Sequence, residues 1–238
     1  MTERERNLFL IAARAPVPGQ TKTRLGTDIG MELAARLYRA FLVDLASRFT
    51  PATGDDLGWD LGWAYTPAEA DFPAILTDLG CPPPAGVRFV GQQGDGWGER
   101  QRNLLRWGHD RGYGRTVLVA SDSPHLPRST PALAFAALAE NEVVLGRVLD
   151  GGYYLIGLRG FHDVLVGVPM STGDAADALV ARSAALGLRV AELPTTFDVD
   201  EAADLARLRR FLAPDGDAAP ATWAALGALA LGGEGLGG

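Results

Sequence analysis

Short apolar runs alternate with longer segments of helical periodicity, and this alternation constrains the fold more than any other feature of the chain. Seven segments have the length and composition of strands: residues 8–13, 61–65, 87–90, 116–120, 142–148, 152–158 and 188–193. Six segments have helical character: a helix capped by Asp28 that carries Leu33, Leu37, Phe41 and Leu45, then residues 68–79, 99–111, 130–140, 172–186 and 201–212. Strands alternating with helices predict a mostly parallel sheet with helices on both faces. We therefore predict the α/β class, a single-domain three-layer α/β/α fold with a Rossmann-like sheet.

The length of 238 residues suits one large domain, which we place at residues 1–212. From residue 213 onward the composition shifts to Ala, Gly, Pro and Asp. Within this C-terminal extension, 213–238, we expect one more helix at residues 223–231 and a flexible end at residues 232–238.

The charge and the cysteine content exclude several classes of protein. The formal net charge of −7 argues against a nucleic-acid-binding protein. The first apolar run ends at Ala13 and is too short for a secretion signal or a membrane span. Cys81 is the only cysteine, so neither an internal disulfide nor a cysteine-built metal site can form. We expect a cytoplasmic protein with no membrane partner.

Polar residues directly after strands are the first place to look for chemistry, because parallel α/β sheets bind ligands beyond the carboxyl ends of their strands. The loop after the first strand carries Arg14, Lys22 and Arg24 among Gly and Pro residues. Three cations on a loop that leads into a helix suit a phosphate cradle, since backbone N–H groups and the helix dipole add to their charge. The alternative is a solvated basic loop without a ligand.

Acidic residues follow three further strands. Asp122 comes directly after the strand at residues 116–120 and either binds Mg²⁺ or caps the next helix. Asp150 precedes two glycines, which form either a hairpin turn or a place where a ligand touches the backbone. Asp198 and Asp200 follow the last strand and offer a second metal ligand, while Asp200 is also expected to cap the final helix.

Five segments, taken together and in this order, resemble the signatures of one bacterial family. They are AARAPVPGQTKTRL at 12–25, GDGWGER at 94–100, ASDSP at 120–124, DGGYYLIGL at 150–158 and DVD at 198–200. The family consists of glycosyltransferase-A-type proteins, described as arsenosugar-biosynthesis-like glycosyltransferases or as domain of unknown function 2064. The resemblance runs from about residue 8 to residue 212 and implies the fold of the nucleotide-diphospho-sugar transferases.

The resemblance also implies roles for individual residues. It assigns catalysis to Asp122, Lys22 and Arg24, with Mg²⁺ or Mn²⁺ held by Asp122, Asp198 and Asp200. The implied nucleotide-binding residues are Ala12, Ala13, Arg14, Gly19, Lys22, Thr23, Arg24, Gly94 and Ser121. The implied acceptor or sugar pocket consists of Glu99, Arg100, Asp150, Gly151, Gly152 and Tyr153. His125, which stands where the family pattern has Asp, is added to this pocket because it is close to Asp122 in the sequence.

The function that we predict is metal-dependent glycosyl transfer from a nucleotide-sugar to a small acceptor. The alternative is nucleotidyl transfer from a nucleoside triphosphate with release of pyrophosphate. The chain lacks the Leu-x-Gly-Gly-x-Gly-Thr-Arg loop of the sugar nucleotidyltransferases, which slightly favours glycosyl transfer. Two further hypotheses are a non-catalytic nucleotide-binding module and a structural or partner-binding protein. The expected partners are a nucleoside di- or triphosphate and a small-molecule acceptor, and a homodimer is one option for the oligomeric state.

Overall fold

The computed structural model describes residues 6–51, 57–170 and 172–233. Within them, seven strands form one sheet: β1 Asn7–Arg14, β2 Asp60–Thr66, β3 Arg88–Gly91, β4 Arg115–Ala120, β5 Val143–Val148, β6 Tyr153–Arg159 and β7 Val190–Thr196. Eight helices accompany the strands: α1 Thr23–Ile29, α2 Met31–Phe49, α3 Phe72–Asp78, α4 Trp97–Asp110, α5 Thr130–Ala137, α6 Ala175–Ala185, α7 Ala202–Leu212 and α8 Pro220–Gly233.

The strand order is β3-β2-β1-β4-β6-β5-β7. Only β6 among these strands runs antiparallel to its neighbours, β4 and β5, while the remaining pairs are parallel. The order confirms the predicted α/β class with a mostly parallel sheet. The carboxyl ends of β1, β2, β4, β5 and β7 therefore meet along one edge. None of the helices described is long and apolar enough to cross a membrane.

The central strand β1 explains why the sheet is covered on both faces. Successive side chains of a strand point to opposite faces. Phe9 and Ile11 enter a core shared with α2, whereas Leu8 and Leu10 enter a second core shared with α4 and α6. All four side chains are fully buried. Burying a side chain of this size stabilises a fold by about 1.5–3 kcal/mol, so the continuous apolar run specifies a strand between two helical layers.

The first helix differs from the sequence-based prediction. Asp28 is not an N-cap, because α1 already begins at Thr23 and includes Arg24, which the sequence had placed in a loop. Gly30 divides α1 from α2, since its φ of 93° interrupts the helical backbone. This φ lies in a region that L-residues with a Cβ rarely adopt, and glycine adopts it readily.

Two other helix starts also need correction. The helix predicted at 68–79 is shorter and begins at Phe72, because the side chain of Asp71 accepts a hydrogen bond from Ala74 N at 3.1 Å and caps it. The final predicted helix is not capped by Asp200. Glu201 occupies the N-cap position of α7 and forms a reciprocal capping box with Asp204. Asp200 is thereby left with its side chain available for other contacts.

The C-terminal extension contributes a packed helix to the fold. Asp44, buried in α2, accepts hydrogen bonds from the backbone N–H groups of Ala221 at 2.9 Å and Thr222 at 2.8 Å. It therefore caps the N-terminus of α8, whose Leu226 is buried in the first core. The division of the chain at residue 212 stays a prediction. Residues 234–238 of the expected flexible end lie outside the described residues.

We expect Asp44→Ala to lower the free energy of unfolding by about 2 kcal/mol, because two backbone donors lose a buried carboxylate partner. Urea unfolding followed by circular dichroism measures this change. Asp78→Ala, which removes an exposed carboxylate at the end of α3, is the control. Equal unfolding midpoints for the two variants would show that Asp44 does not secure α8.

Candidate active site

One cavity of about 630 Å³ opens at the carboxyl edge of the sheet. Residues from the ends of β1, β2, β4 and β5, and from the segment after β7, line it together. The residues predicted for the site that line this cavity are Ala12, Ala13, Arg14, Lys22, Thr23, Arg24, Arg100, Ser121, Asp122, Asp150, Gly152, Tyr153, Asp198 and Asp200. The structure thus brings the basic first loop and all three candidate metal ligands into one crevice.

Lys22 lies at the centre of the charged groups. Its ammonium forms ion pairs with Asp200 Oδ1 at 2.7 Å and with Asp122 Oδ1, and its side chain is only 5% exposed. The backbone of Lys22 adopts a left-handed conformation with φ 48° at the N-cap of α1. A non-glycine residue in this region costs about 1–2 kcal/mol, so tertiary contacts must hold it there. The two ion pairs are such contacts.

The electrostatics of the three residues are coupled. Burial by itself disfavours the charged forms of both Lys22 and Asp200. The attraction between the opposite charges outweighs this effect of burial. The two carboxylates therefore raise the pKa of Lys22 above its usual 10.5, and Lys22 lowers the pKa of Asp200 below its usual 3.8. Lys22 and Asp200 therefore stay charged at neutral pH.

Lys22 is also the only lysine in the chain, since the other 21 basic side chains are all arginines. An ammonium is a compact charge with three donors, whereas a guanidinium is a planar fork. The position between two carboxylates calls for the compact group. This contrast in composition is a signal in the sequence that the motif analysis did not use.

Asp198 shows that the cavity carries more negative charge than Lys22 can balance. Burial first, and then repulsion from Asp200, Asp150 and Asp122, raise the pKa of Asp198 to about 7. Hard carboxylate oxygens suit Mg²⁺ or Mn²⁺, and a divalent cation would relieve this repulsion. Among the described residues, however, no three His, Cys, Asp or Glu side chains already stand close enough to enclose a metal ion. The residues fit such a cation by charge and by ligand type.

Tyr38 is a cavity residue that the sequence analysis missed. Its hydroxyl accepts a hydrogen bond from Arg14 N at 2.9 Å and lies 2.7 Å from Ser121 Oγ. Burial raises its pKa to about 12, so the phenol stays protonated and its own hydrogen is free for Ser121. Tyr38 thereby ties the ends of β1 and β4 together. In the sequence, Tyr38 lies among the apolar residues of α2, so nothing marked its hydroxyl as part of a site.

The segment at Asp150 is the hairpin turn that the sequence offered as one alternative, and a contact of its backbone with a ligand stays a prediction. It forms the hairpin turn between β5 and β6, where Asp150 Oδ1 accepts a hydrogen bond from Gly152 N at 2.9 Å. Asp150 and Gly152 also line the cavity. Gly151 has φ 89°, and a Cβ there would collide with the carbonyl of Gly173. The turn is therefore packed tightly against the segment that leads into α6.

The comparison with known proteins agrees with this fold. Residues 52–172 match a family described as an uncharacterized protein conserved in bacteria, DUF2064. A crystal structure from Desulfovibrio desulfuricans G20, provisionally named a nucleotide-diphospho-sugar transferase, is 33% identical over 94% of this chain and 96% of its own, with a TM-score of 0.82. The chain belongs to the DUF2064 family.

More distant structures share only the fold with this DUF2064 protein. A 4-diphosphocytidyl-2C-methyl-D-erythritol synthase is 15% identical, with a TM-score of 0.53, over 89% of this chain and 100% of its own. The corresponding synthase from Anaerococcus prevotii DSM 20548 is 9% identical, with a TM-score of 0.55, over 88% of this chain and 97% of its own. No curated protein matches the sequence significantly.

Several residues that the family resemblance suggested do not line the cavity. These are Gly19, Gly94, Glu99, His125 and Gly151. His125 is only 3% exposed, its ring stacks on Phe197 at 4.1 Å, and its Nε2 lies 2.9 Å from Thr196 Oγ1. Burial and the nearby Arg48 lower the pKa of His125 to about 4. We therefore interpret His125 as a neutral core residue.

In the metal-free protein we expect Asp198→Asn to increase stability above pH 7. The folded pKa of Asp198 is about 7 and its ordinary value is 3.8, so the folded state binds more protons between these values and loses stability as pH rises. The gain in stability of the variant should therefore be small at pH 4 and at most about 4 kcal/mol at pH 8, the free energy that corresponds to the difference between the two pKa values. Urea unfolding in EDTA at several pH values measures it.

The exposed residue Asp110 provides the control for this experiment, as Asp110→Asn, at the end of α4. A stability difference between Asp198→Asn and the native chain that does not change with pH would contradict the charge repulsion. Adding Mn²⁺ should abolish the advantage of the variant if the cation neutralises the same carboxylates.

Proposed function

We propose that this protein is a metal-dependent transferase that takes a nucleotide-sugar as donor and passes the sugar to a small acceptor. The observation that carries the proposal is the buried Lys22 held between Asp122 and Asp200 in the cavity at the sheet edge. A cation of fixed position beside several carboxylates suits a diphosphate that binds together with a divalent metal ion. The family relative that is provisionally named a nucleotide-diphospho-sugar transferase supports the same donor class.

Asp122, Asp198 and Asp200 are the residues that would hold Mg²⁺ or Mn²⁺. The bound ion would neutralise negative charge on the departing diphosphate, which is the main task in this reaction class. Lys22 is charged and buried, so it can donate to phosphate oxygens without first being desolvated.

Two arginines extend the positive charge beyond Lys22. Arg14 is the last residue of β1, and its Nη1 donates to Gln20 O at 3.0 Å, which restrains the first loop. Arg24 is largely exposed and lies 3.7 Å from Glu201, so only a weak surface ion pair restrains it. We assign Lys22 to the phosphate beside Asp122 and Asp200, and Arg14 and Arg24 to the other phosphate.

A further part of the cavity lining, around Tyr153 and Asp150, suits the sugar and the acceptor. The hydroxyl of Tyr153 accepts a hydrogen bond from buried Gln101 Nε2 at 3.0 Å and lies 3.5 Å from Met170 Sδ. Asp150 stands beside Tyr153 at the turn and offers a carboxylate to a hydroxyl group. In the proposed reaction the acceptor hydroxyl attacks the sugar carbon, its proton passes to a base, and the nucleoside diphosphate leaves.

Nucleotidyl transfer is the second candidate, because the two synthases that share this fold form a diphosphocytidyl product according to their names. In that reaction an acceptor oxygen attacks the α-phosphorus of a nucleoside triphosphate and pyrophosphate leaves. Both reactions would use the same cations and carboxylates. They differ in the product released, which makes them separable by a direct assay.

We expect the protein with Mn²⁺ to consume a nucleotide-sugar in the presence of a panel of small acceptors and to release a nucleoside diphosphate. Pyrophosphate release from a nucleoside triphosphate would instead favour nucleotidyl transfer. Asp122→Asn should lower metal-dependent nucleotide affinity at least tenfold and the rate on the order of 100-fold, because a charge at the reacting phosphate is lost.

Asp217→Asn, which changes an exposed carboxylate before α8, is the matched control and should bind and react like the native chain. Nucleotide binding without turnover of any donor would indicate a non-catalytic binding module. Absence of metal-dependent nucleotide binding, or full binding by Asp122→Asn, would refute the proposed site.

A further inference from the structure

Gln92 carries a buried side-chain amide on the cavity wall. It follows β3 directly, is only 7% exposed, and belongs to the residues that line the cavity. A buried side-chain amide must satisfy its donors and its acceptor, because each unmade hydrogen bond costs free energy. The partners of Gln92 therefore show which part of the amide remains available to a ligand.

The orientation of this amide is set by two backbone carbonyls. Gln92 Nε2 donates to Ala64 O at 2.9 Å and to Ala13 O at 3.3 Å. Carbonyl oxygens accept only, so both must face the NH₂ group, and the flipped amide would place its oxygen against two other oxygens. Both hydrogens of the amide are consumed in this way.

The remaining atom, Oε1, has no partner among the described residues and is not sealed inside the protein. Because the residue as a whole is buried and lines the cavity, the open side of Oε1 faces that cavity. Gln92 thus presents a fixed acceptor, and no donor, to whatever binds there.

The Gln92 amide lies at a short distance along the sheet from the residues that would bind the phosphates. Its two partners lie on β1 and β2, whereas Asp122 follows β4, which pairs with the other side of β1. Neighbouring strands are about 4.8 Å apart, so the amide stands roughly 5–10 Å along the sheet from the strand that carries Asp122. A nucleoside whose phosphates lie at Lys22 can reach this wall with its base.

We infer that Gln92 Oε1 selects the nucleobase of the donor by accepting a ring N–H, the group that uracil and guanine share. This inference rests on the proposed function. A ring N–H has one direction in the base plane and is satisfied by one fixed acceptor. Adenine and cytosine present a ring nitrogen acceptor there, and Gln92 has no hydrogen left to donate to it.

Asp95 is an exposed residue of the same cavity and offers a second acceptor. It lines the cavity after Gln92, and its carboxylate, when ionised, is an acceptor only. A ring-nitrogen acceptor placed against Gln92 Oε1 would receive no hydrogen from this side chain. A binding site built to pair with a substrate N–H discriminates strongly against analogues that lack it.

Calorimetric titration of the native protein in Mn²⁺ with UDP, GDP, CDP and ADP tests the inference. We expect UDP or GDP to bind at least about tenfold more tightly than CDP and ADP, the usual effect of one lost buried hydrogen bond. The tighter binder of UDP and GDP shows whether the site prefers uracil or guanine. The analogue of this nucleotide that is methylated at the ring nitrogen, 3-methyl-UDP or 1-methyl-GDP, should bind about tenfold more weakly than its parent, although its phosphates are unchanged.

Gln92→Met should remove the difference between the parent nucleotide and its methylated analogue. Gln93→Met, which changes the exposed neighbour, is the matched control and should keep it. If Gln92→Met does not fold, the methylated analogues on the native protein still decide the outcome.

The outcomes separate this inference from the proposed function. Equal binding of all four diphosphates, a preference for CDP or ADP, or equal binding of the methylated analogue would overturn the role of Gln92 and leave the proposed function intact. Failure of every nucleotide to bind in Mn²⁺ would overturn the proposed function, and the inference with it.

Discussion

The paired charges of Lys22, Asp122 and Asp200 are the interaction on which the arrangement of the site depends. A lone ammonium at this depth would lose several kcal/mol of hydration, and only nearby opposite charges offset such a cost. The three residues come from the loop after β1, the end of β4 and the segment after β7, so the ion pairs join parts of the chain that are far apart in sequence. They also hold the left-handed backbone at Lys22 that starts α1. Among the described residues no basic side chain forms an ion pair with Asp198, and burial and the neighbouring carboxylates raise its pKa, so a further positive charge would stabilise the cluster.

The sheet supplies the rigid frame that this cluster requires. Both faces of β1 are packed in hydrophobic cores, which fix the carboxyl ends of the central strands relative to one another. Tyr38 adds a polar link between the ends of β1 and β4, and the hairpin turn at Asp150 brings in the end of β5. Polar groups on loops are therefore positioned by strands that cannot move independently, which is the usual basis for a precise ligand site. The amide of Gln92 is fixed in the same way, since it bonds to the backbone of β1 and β2.

The sequence predicted the elements and the sheet edge because both depend on local patterns. Apolar runs indicate strands, and the polar residues that follow them indicate the edge of the sheet where the strands end. The pairing of Lys22 with Asp200 could not be read in this way, because it depends on how segments 178 residues apart meet in space. The same holds for the capping of α8 by Asp44 and for the stacking that buries His125. The orientation of the Gln92 amide follows from two carbonyls on other strands, and no motif contains that information.

The most direct test of this account uses the fact that Lys22 is the only lysine in the chain. Protein labelled with ¹⁵N at the lysine Nζ gives a single side-chain signal by NMR, which can be followed against pH and against added nucleotide with Mg²⁺. We expect the ammonium to remain protonated beyond its ordinary pKa of 10.5, because Asp122 and Asp200 hold it, and its signal to shift when nucleotide binds. An ammonium that titrates as an exposed lysine does, and whose signal nucleotide leaves unchanged, would contradict the buried charge cluster and its role in binding.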